Sequence, residues 1–307
     1  MGTIVDDAQA DISITVVQPY DFALSLRAMR SFQSVAAEPE PRLRMAARLG
    51  NKPAVVEIWL GAKSALKASS RPKVDNEQLR AAVEWSLFTE LDLKPFYHLV
   101  SKNPKLAWLT QKLYGLKPSR PATLFEMAVT AITEQQISLA AAYQIRNRVV
   151  QRFGKPVEDL LVFPEPQALA EAPLEDLRSC GLSRQKSEYI RGLAGKIVAG
   201  DLDLDSLKYM ATDSARETIM KIKGFGRWSA DYILIRGLAR PDCVPVDDLG
   251  VREVVGKYLG NSVRPTAEQA AAKLEPFRPF RGLLAFYFLA AHRLKVATGY
   301  PVLVSEN

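Results

Sequence analysis

Residues 217–260 read ETIMKIKGFGRWSADYILIRGLARPDCVPVDDLGVREVVGKYLG, the most informative stretch of the chain. Within it, Gly224-Phe225-Gly226 follows one predicted helix and opens another near Arg227. Two glycines let the chain turn tightly and bring backbone N–H groups close to a ligand. The unsatisfied N–H groups of the second helix face the same side, which predicts an anion site suited to a phosphate. Lys223, Arg227 and Ser229 are expected to add donors.

Two other interpretations of the glycine pair compete with this one. A Gly-x-Gly between helices is often only a turn. The pair also resembles part of a dinucleotide-binding fingerprint, because Asp247 and Asp248 lie about 20 residues downstream, where a ribose-binding acid stands. The third glycine position of that fingerprint is Ser229, however, and the preceding segment is a helix instead of a strand. The dinucleotide interpretation is therefore rejected.

The regions outside the hairpin differ in their hydrophobic period. From Asn76 onward the 3.6-residue period of helices continues almost to the end, through a helix over 121–154 that breaks once around Gln135–Ser138 and a last helix over 280–299. Residues 10–70 instead show strand-like alternation with short polar breaks, typical of an antiparallel sheet, with one helix packed on it.

These patterns predict an α+β fold with two domains. Residues 1–72 form a small N-terminal antiparallel β-sheet domain. Residues 73–307 form an all-α helix-hairpin-helix bundle, with the hairpin near 214–235 and a functional loop over 241–250.

The composition narrows the class of protein. The chain has 307 residues, a net charge of +7 and a pI near 9.3, which fits an anionic partner. Two cysteines and two histidines are too few for a disulfide scaffold, a four-cysteine zinc site or an iron–sulfur cluster, so no metal site is expected. The acidic N-terminal segment has no apolar signal core, and no apolar run is long enough to span a bilayer, so we expect an intracellular protein without membrane association.

A run of bases without an acid lies between Asp92 and Glu126. Taken alone, such a run is more often a solvated basic face than a binding site. Its members are Lys94, Lys102, Lys105, Lys112, Lys117 and Arg120.

A Gly-hydrophobic-Gly hairpin lies between two predicted helices and is followed by a Pro-rich loop with an aspartate. This order of elements resembles the helix-hairpin-helix DNA glycosylases. Within that superfamily the chain looks like the 3-methyladenine DNA glycosylase II family. The resemblance extends over nearly the whole chain and is most specific over 121–297. The matching segments are 18–22, 131–138, 181–183 with Lys186, Tyr189 and Ile190, 224–232, 236–237 and 245–252.

The resemblance implies a catalytic aspartate after the hairpin. The family's Asp-x-Gly pattern falls on Asp248, and its spacing from Trp228 agrees without a gap, so Asp248 is favoured. More distant superfamily members place the acid two residues after a proline, which would be Asp247. One of the two aspartates could also serve only to cap the helix that starts near Leu249.

The same resemblance suggests an aromatic wall for the base pocket. It also shows that the lysine of the backbone-cutting relatives is missing here. Trp228 and Tyr232 stand one turn apart, share a face and are candidates for a surface that favours a cationic base. Superfamily members that also cut the DNA backbone carry a lysine where this chain has Trp228. Lys221 and Lys223 lie on the other side of the hairpin and are poor substitutes. The implied enzyme is therefore monofunctional and leaves an abasic site.

Two further positions concern the flipped nucleotide. A side chain at the helix break fills the gap in the duplex in the resembled family, and Gln136 matches that place. The neighbouring Ile137 is expected to be buried in a helix. Leu289 stands where the family usually has an aromatic residue, so one wall of the base pocket is expected to be aliphatic.

The expected function is excision of alkylated purines of the 3-methyladenine type from duplex DNA in base-excision repair. Alternatives are a glycosylase for deaminated or oxidised bases and a non-catalytic DNA-binding hairpin protein. The expected partner is double-stranded DNA with damaged bases, bound by a monomer. No cofactor is expected, although a monovalent cation held by the hairpin backbone on DNA is compatible with the resemblance. The location is expected to be the cytoplasm, associated with the nucleoid, or the nucleus.

Overall fold

The N-terminal part of the chain is a four-stranded antiparallel sheet. The computed structural model describes residues 10–33, 41–260 and 263–297, so the acidic N-terminal residues 1–9 lie outside the described part. The strands are β1 (Ile12–Ile14), β2 (Arg42–Leu49), β3 (Lys52–Leu60) and β4 (Leu66–Arg71), in the order β1-β4-β3-β2. The predicted α+β class is confirmed.

Both faces of this sheet are covered. Side chains alternate along β3, so Val56 and Ile58 face one way and Val55 faces the other. Val56 and Ile58 pack in one core with α1 (Phe22–Gln33) and α2 (Asn76–Leu87). The first of these helices is the one predicted to pack on the sheet. Asp75 begins α2 by accepting hydrogen bonds from the N–H groups of Glu77 and Gln78.

Most of the remaining chain is helical. The predicted break near residue 135 is present, and the predicted last helix ends at Arg293, while residues 298–299 lie outside the described part. No helix in the described ranges has the length and apolar character needed to cross a lipid bilayer. The helices are α3 (Lys94–Val100), α4 (Ala107–Lys112), α5 (Leu124–Glu134), α6 (Leu139–Phe153), α7 (Pro166–Glu171), α8 (Leu174–Ser179), α9 (Arg184–Val198), α10 (Thr212–Met220), α11 (Arg227–Arg236), α12 (Leu249–Leu259), α13 (Ala267–Leu274) and α14 (Arg281–Arg293).

Two hydrophobic cores organise these helices. One core joins α5, α9, α10 and α11, with the wholly buried Ile132, Ile190 and Leu234 among its members. The other joins α3, α4, α12, α13 and α14. In this second core Tyr287 is fully buried, and its hydroxyl donates to the carbonyl of Leu116 at 2.7 Å. The Gly224–Gly226 hairpin follows α10 at the edge of the first core. The loop over 241–250, which contains Asp247 and Asp248, connects the first core to the second.

A small β-hairpin interrupts the helical region, contrary to the continuous helical pattern predicted there. Its strands are β5 (Lys155–Val157) and β6 (Leu160–Val162). Val157 and Val162 pack against Val55, on the sheet face that α1 and α2 leave open. Arg44 and Arg71 of the sheet both pair with Glu158 in the hairpin turn, at 2.8 and 2.9 Å. Strands of three residues are too short to show a period-2 pattern, which explains the error.

The basic run is only partly a solvated face. Its first four lysines are exposed, but Lys117 and Arg120 are not. The Lys117 ammonium is buried and donates to the carbonyls of Val17 and Thr89 at 2.9 and 3.0 Å. Arg120 lies over the rings of Trp85 and Phe88. These two cations therefore join the sheet layer to the segment that precedes α5.

The buried Lys117 gives a pH-dependent contribution to stability. Burial lowers the pKa of Lys117 from 10.5 to about 8, so between these values the unfolded chain holds a proton that the folded chain has lost. The free energy of unfolding should therefore rise with pH across this window, by up to about 3 kcal/mol. Urea unfolding of the wild type and of Lys117→Met at several pH values measures the difference in slope.

Lys112→Met is the matched control, because Lys112 is exposed. It should keep the wild-type slope, while Lys117→Met should flatten it. Equal slopes in both variants would contradict the assignment.

Candidate active site

The hairpin between α10 and α11 depends on one glycine. Gly224 has a φ of +96°, and an added Cβ would stand 2.5 Å from a ring carbon of Tyr189. Phe225, between the two glycines, is buried in the core shared by α5, α9 and α11. Only glycine fits at position 224 without strain, and Phe225 anchors the turn from below.

The second glycine has a different role. Gly226 precedes α11, no side chain caps this helix, and a Cβ at Gly226 would meet no protein atom within 4 Å. The free N–H groups of the first turn of α11 therefore open onto an exposed surface, as an anion site requires. Lys223 is exposed beside them. Arg227 is also exposed and is oriented by a 2.7 Å hydrogen bond to Asp231.

The helix break between α5 and α6 is tied to this hairpin. The side-chain amide of Gln135 donates to the carbonyl of Gly224 at 2.8 Å and to the hydroxyl of Ser229 at 3.0 Å. The Lys186 ammonium donates to the carbonyls of Thr133 and Gln135 at 2.9 and 2.7 Å, which closes the end of α5. The break and the hairpin thus form one braced surface.

Ser229 is only 2% exposed and its hydroxyl accepts from Gln135, so this side chain braces the hairpin from inside. One prediction at this surface is wrong. Ile137 is 38% exposed instead of buried, because the chain leaves α5 before reaching it. Gln136 is exposed with a φ of +56°, so this side chain is presented outward at the tip of the break.

Asp248 stands at the start of α12 and contacts α11. One carboxylate oxygen accepts from the N–H of Val251 at 3.0 Å, and the other accepts from the indole N–H of Trp228 at 3.1 Å. Asp248 is partly buried, whereas Asp247 is exposed. The favoured aspartate is therefore also the helix cap, and the two suggested roles coincide in one residue.

Trp228 and Tyr232 share a face of α11, as their spacing of one turn predicts. The rings of Trp228 and Tyr232 stack with centroids 5.1 Å apart and planes inclined by 23°. The Tyr232 hydroxyl donates to Glu134 at 2.7 Å. Burial, reinforced by the negative charge of Glu134, raises the pKa of Tyr232 well above its usual value, so the phenol stays protonated.

A single cavity of about 1810 Å³ connects these parts. Its lining includes the hairpin, the helix break, Asp248 and the aromatic pair. Leu289 lines the cavity as an aliphatic residue. Phe286, one turn earlier on α14, adds an aromatic surface, because it stacks on Phe32 of α1 with ring centroids 5.9 Å apart. The sheet domain therefore supplies part of the wall.

Several residues of this cavity were not predicted. Glu134 could have been predicted from the sequence, because it is a charged residue directly after the mostly apolar stretch Leu124–Thr133. The structure buries almost all of that stretch. Phe32 and Arg293 carried no such signal, since their proximity depends on packing between the two ends of the chain. Arg293 lines the cavity and lies over the Phe32 ring at 4.8 Å.

Within residues 10–33, 41–260 and 263–297, no group of three or more His, Cys, Asp or Glu side chains is arranged to hold a metal ion. The one lysine among the described residues that line the cavity is Lys186, and its ammonium is engaged by the two carbonyls at the end of α5.

The braced hairpin between α10 and α11, with the helix-capping Asp248 beside it, forms a helix-hairpin-helix motif followed by an aspartate loop. The sequence pattern of the HhH-GPD superfamily base excision DNA repair proteins matches residues 129–279. The alkylbase DNA glycosidase-like protein mag2 of Schizosaccharomyces pombe is 30% identical over 193 residues, which are 62% of this chain and 89% of that protein. The chain belongs to the HhH-GPD superfamily, in agreement with the resemblance noted from its sequence.

Its similarity within the superfamily is to 3-methyladenine glycosylases. A DNA-3-methyladenine glycosylase of Bacillus subtilis is 32% identical over 200 residues, or 64% of this chain and 66% of the relative, so just under two thirds of that relative is matched. The solved structure of the 3-methyladenine DNA-glycosylase from Archaeoglobus fulgidus superposes with a TM-score of 0.81 at 26% identity, over 93% of this chain and 99% of that one.

The two glycines should respond differently to substitution. Gly226→Ala meets open space in the protein but places a methyl group where a phosphate would approach, so affinity for duplex DNA should fall about tenfold, the equivalent of one hydrogen bond to a charged group. Damaged and undamaged duplexes should lose affinity alike, because phosphate contacts do not read bases. Fluorescence anisotropy with both duplexes measures this.

Gly195→Ala is the control, because its Cβ also meets nothing within 4 Å, on α9. Gly224→Ala should instead lower the melting temperature, since the new methyl group would overlap Tyr189. Loss of affinity for damaged duplex alone in Gly226→Ala would refute the phosphate role.

Proposed function

We propose that this protein is a monofunctional DNA glycosylase that flips a damaged nucleotide out of duplex DNA and hydrolyses its N-glycosidic bond. The observation that carries the proposal is the Asp248 carboxylate, held between the N-terminus of α12 and the Trp228 indole in a cavity that opens at the hairpin. A plain DNA-binding hairpin has no need of a partly buried carboxylate at this place.

The chemistry assigns one main task to Asp248. As the bond between C1′ and the base nitrogen breaks, its electron pair leaves with the base and positive charge builds on the deoxyribose. A fixed carboxylate stabilises this charge, or helps a water molecule to add to C1′ and give up its proton. The two hydrogen bonds to Asp248 hold the carboxylate in place before the reaction, so little reorganisation is needed.

The braced surface accounts for binding and flipping. The N–H groups of α11 and exposed Lys223 and Arg227 would hold backbone phosphates on one strand. Gln136, presented outward at the helix break, would enter the gap that the flipped nucleotide leaves. Its neighbour Gln135 cannot take that part, because its amide is already bonded to the hairpin.

Alkylated purines are the proposed substrates. The stacked Trp228 and Tyr232 offer an aromatic surface that favours a cationic base, and an alkylated purine of the 3-methyladenine type is a cation that leaves readily. The relatives named as 3-methyladenine glycosylases support this choice.

Deaminated or oxidised bases form the second candidate class. Arg236 and Arg293 line the same cavity, and guanidinium donors suit a base that carries an extra carbonyl oxygen. A panel of duplexes, each with a single damaged base, ranks the two classes directly.

Other features of the proposal concern its partners. We expect a monomer on damaged double-stranded DNA, with a monovalent cation at the hairpin backbone in the complex, and a location at the nucleoid or in the nucleus. Sedimentation with and without duplex tests the first of these expectations.

The aspartate assignment is tested by two neighbouring substitutions. Asp248→Asn can still cap α12, so the fold and DNA binding should persist, while the rate of base release in single turnover should fall by about 10²-fold or more. Asp247→Asn removes the same charge one residue earlier, at an exposed position, and should stay within about threefold of the wild type. The reverse pattern would transfer the catalytic role to Asp247.

The absence of lyase activity is tested separately. An indole cannot form an imine with the sugar, so product DNA should contain abasic sites and should break only after alkali or heat. Borohydride should trap no protein–DNA adduct. A strong adduct that disappears in Lys223→Ala or Lys186→Met would show that a lysine reaches the sugar from another direction and would overturn the monofunctional assignment.

A further inference from the structure

The aromatic pair in the cavity is held by a carboxylate at each end. The indole N–H of Trp228 donates to Asp248 at 3.1 Å, and the hydroxyl of Tyr232 donates to Glu134 at 2.7 Å. The rings between these two bonds stack with centroids 5.1 Å apart. Each ring therefore gives its one polar hydrogen to an acid residue. Asp248 is accounted for by the proposed reaction, but Glu134 is not.

A charged carboxylate is energetically unfavourable at the position of Glu134. Its side chain is 9% exposed, and it is the last residue of α5, where the partial negative charge of a helix end opposes a carboxylate. Arg146 on α6 offsets part of this cost by donating to the other carboxylate oxygen at 2.9 Å. A glutamine would accept the same hydrogen bond from Tyr232 without a buried charge. The charge itself therefore calls for an explanation.

We propose that Glu134 is a specificity-determining residue that selects bases carrying a positive charge; the inference rests on the function proposed above and names how its site chooses among substrates. A phenol that donates to a carboxylate forms a charge-assisted hydrogen bond, which shifts electron density from the hydroxyl into the ring. A ring face with more electron density attracts a cation more strongly. Trp228 is placed in the same way by Asp248, so both rings of the wall are enriched.

The cations of the cavity make their direct contacts away from the two rings. Burial and Glu134 raise the pKa of Tyr232, while the charges of Arg236 and Arg146 lower it. Arg146 is paired with Glu134 itself. The guanidinium groups of Arg236 and Arg293 lie over the ring of Phe32, at 5.6 and 4.8 Å from its centroid. The Trp228–Tyr232 pair is thus the portion of the wall that donates to two carboxylates.

The experiment compares a cationic and a neutral base in one duplex. Single-turnover release of 7-methylguanine and of hypoxanthine is measured for the wild type and for Glu134→Gln, at saturating and limiting enzyme concentrations. Glu134→Gln should lower the rate constant divided by the half-saturation concentration about fivefold to tenfold for 7-methylguanine, and should change that for hypoxanthine by less than about twofold. If hypoxanthine release is too slow to follow, the dissociation constants for the two duplexes are measured instead. The ratio of these two constants is then compared between the wild type and Glu134→Gln.

Two further variants separate selectivity from stability. Tyr232→Phe removes the donor but keeps the ring, so it should show the same selective loss, and the double variant should lose little more than either single variant. Glu188→Gln is the control: it removes a carboxylate that is paired with Arg184 at 3.0 Å and does not line the cavity, so it should keep the wild-type ratio.

The outcomes are distinct. Equal loss on both bases in Glu134→Gln and in Tyr232→Phe, or multiplying effects in the double variant, would overturn the role of Glu134 while leaving the glycosylase assignment intact. A wild type that releases neither base would overturn the proposed function and this inference with it.

Discussion

The hydrogen bond between the Trp228 indole and Asp248 joins the two halves of the site. Trp228 belongs to the helix that begins at the hairpin, and Asp248 begins the next helix, so this contact connects the hairpin to the aspartate loop. Because the other oxygen of Asp248 caps its own helix, the carboxylate is fixed from two directions. A displacement of either helix would therefore misplace the acid, and the packing of both cores serves to prevent it.

The bracing of the hairpin shows how glycine, glutamine and serine divide this work. Gly224 lies against Tyr189, Gln135 reaches across from the helix break, and Ser229 receives it from below. These residues line the cavity, and their contacts with one another tie the hairpin to the helix break. Their effect is to hold the exposed N–H groups of α11 and the outward Gln136 in a fixed relation to each other.

The sequence predicted those features that depend on local pattern. The hairpin, the helix break near Gln135, the capped Asp248 and the strands of the sheet are all short-range signals of turn residues and hydrophobic period, and the structure contains them. The burial of Lys117 and Ser229, the exposure of Ile137 and the β5–β6 hairpin were not predicted, because each depends on which distant segment packs against it. The pairing of Glu134 with Tyr232, 98 residues apart in the chain, belongs to the same group.

The contact of Phe32 with α14 has a consequence for how the cavity forms. Arg293 donates to the carbonyl of Ser31 across 262 residues, and Phe286 stacks on Phe32 beside it. Contacts between such distant positions form late, after the local helices and hairpins. A chain that ended before α14 would contain the hairpin and Asp248 but would lack the part of the cavity wall that α14 supplies. The cavity wall is therefore complete only when α1 and α14 pack against each other.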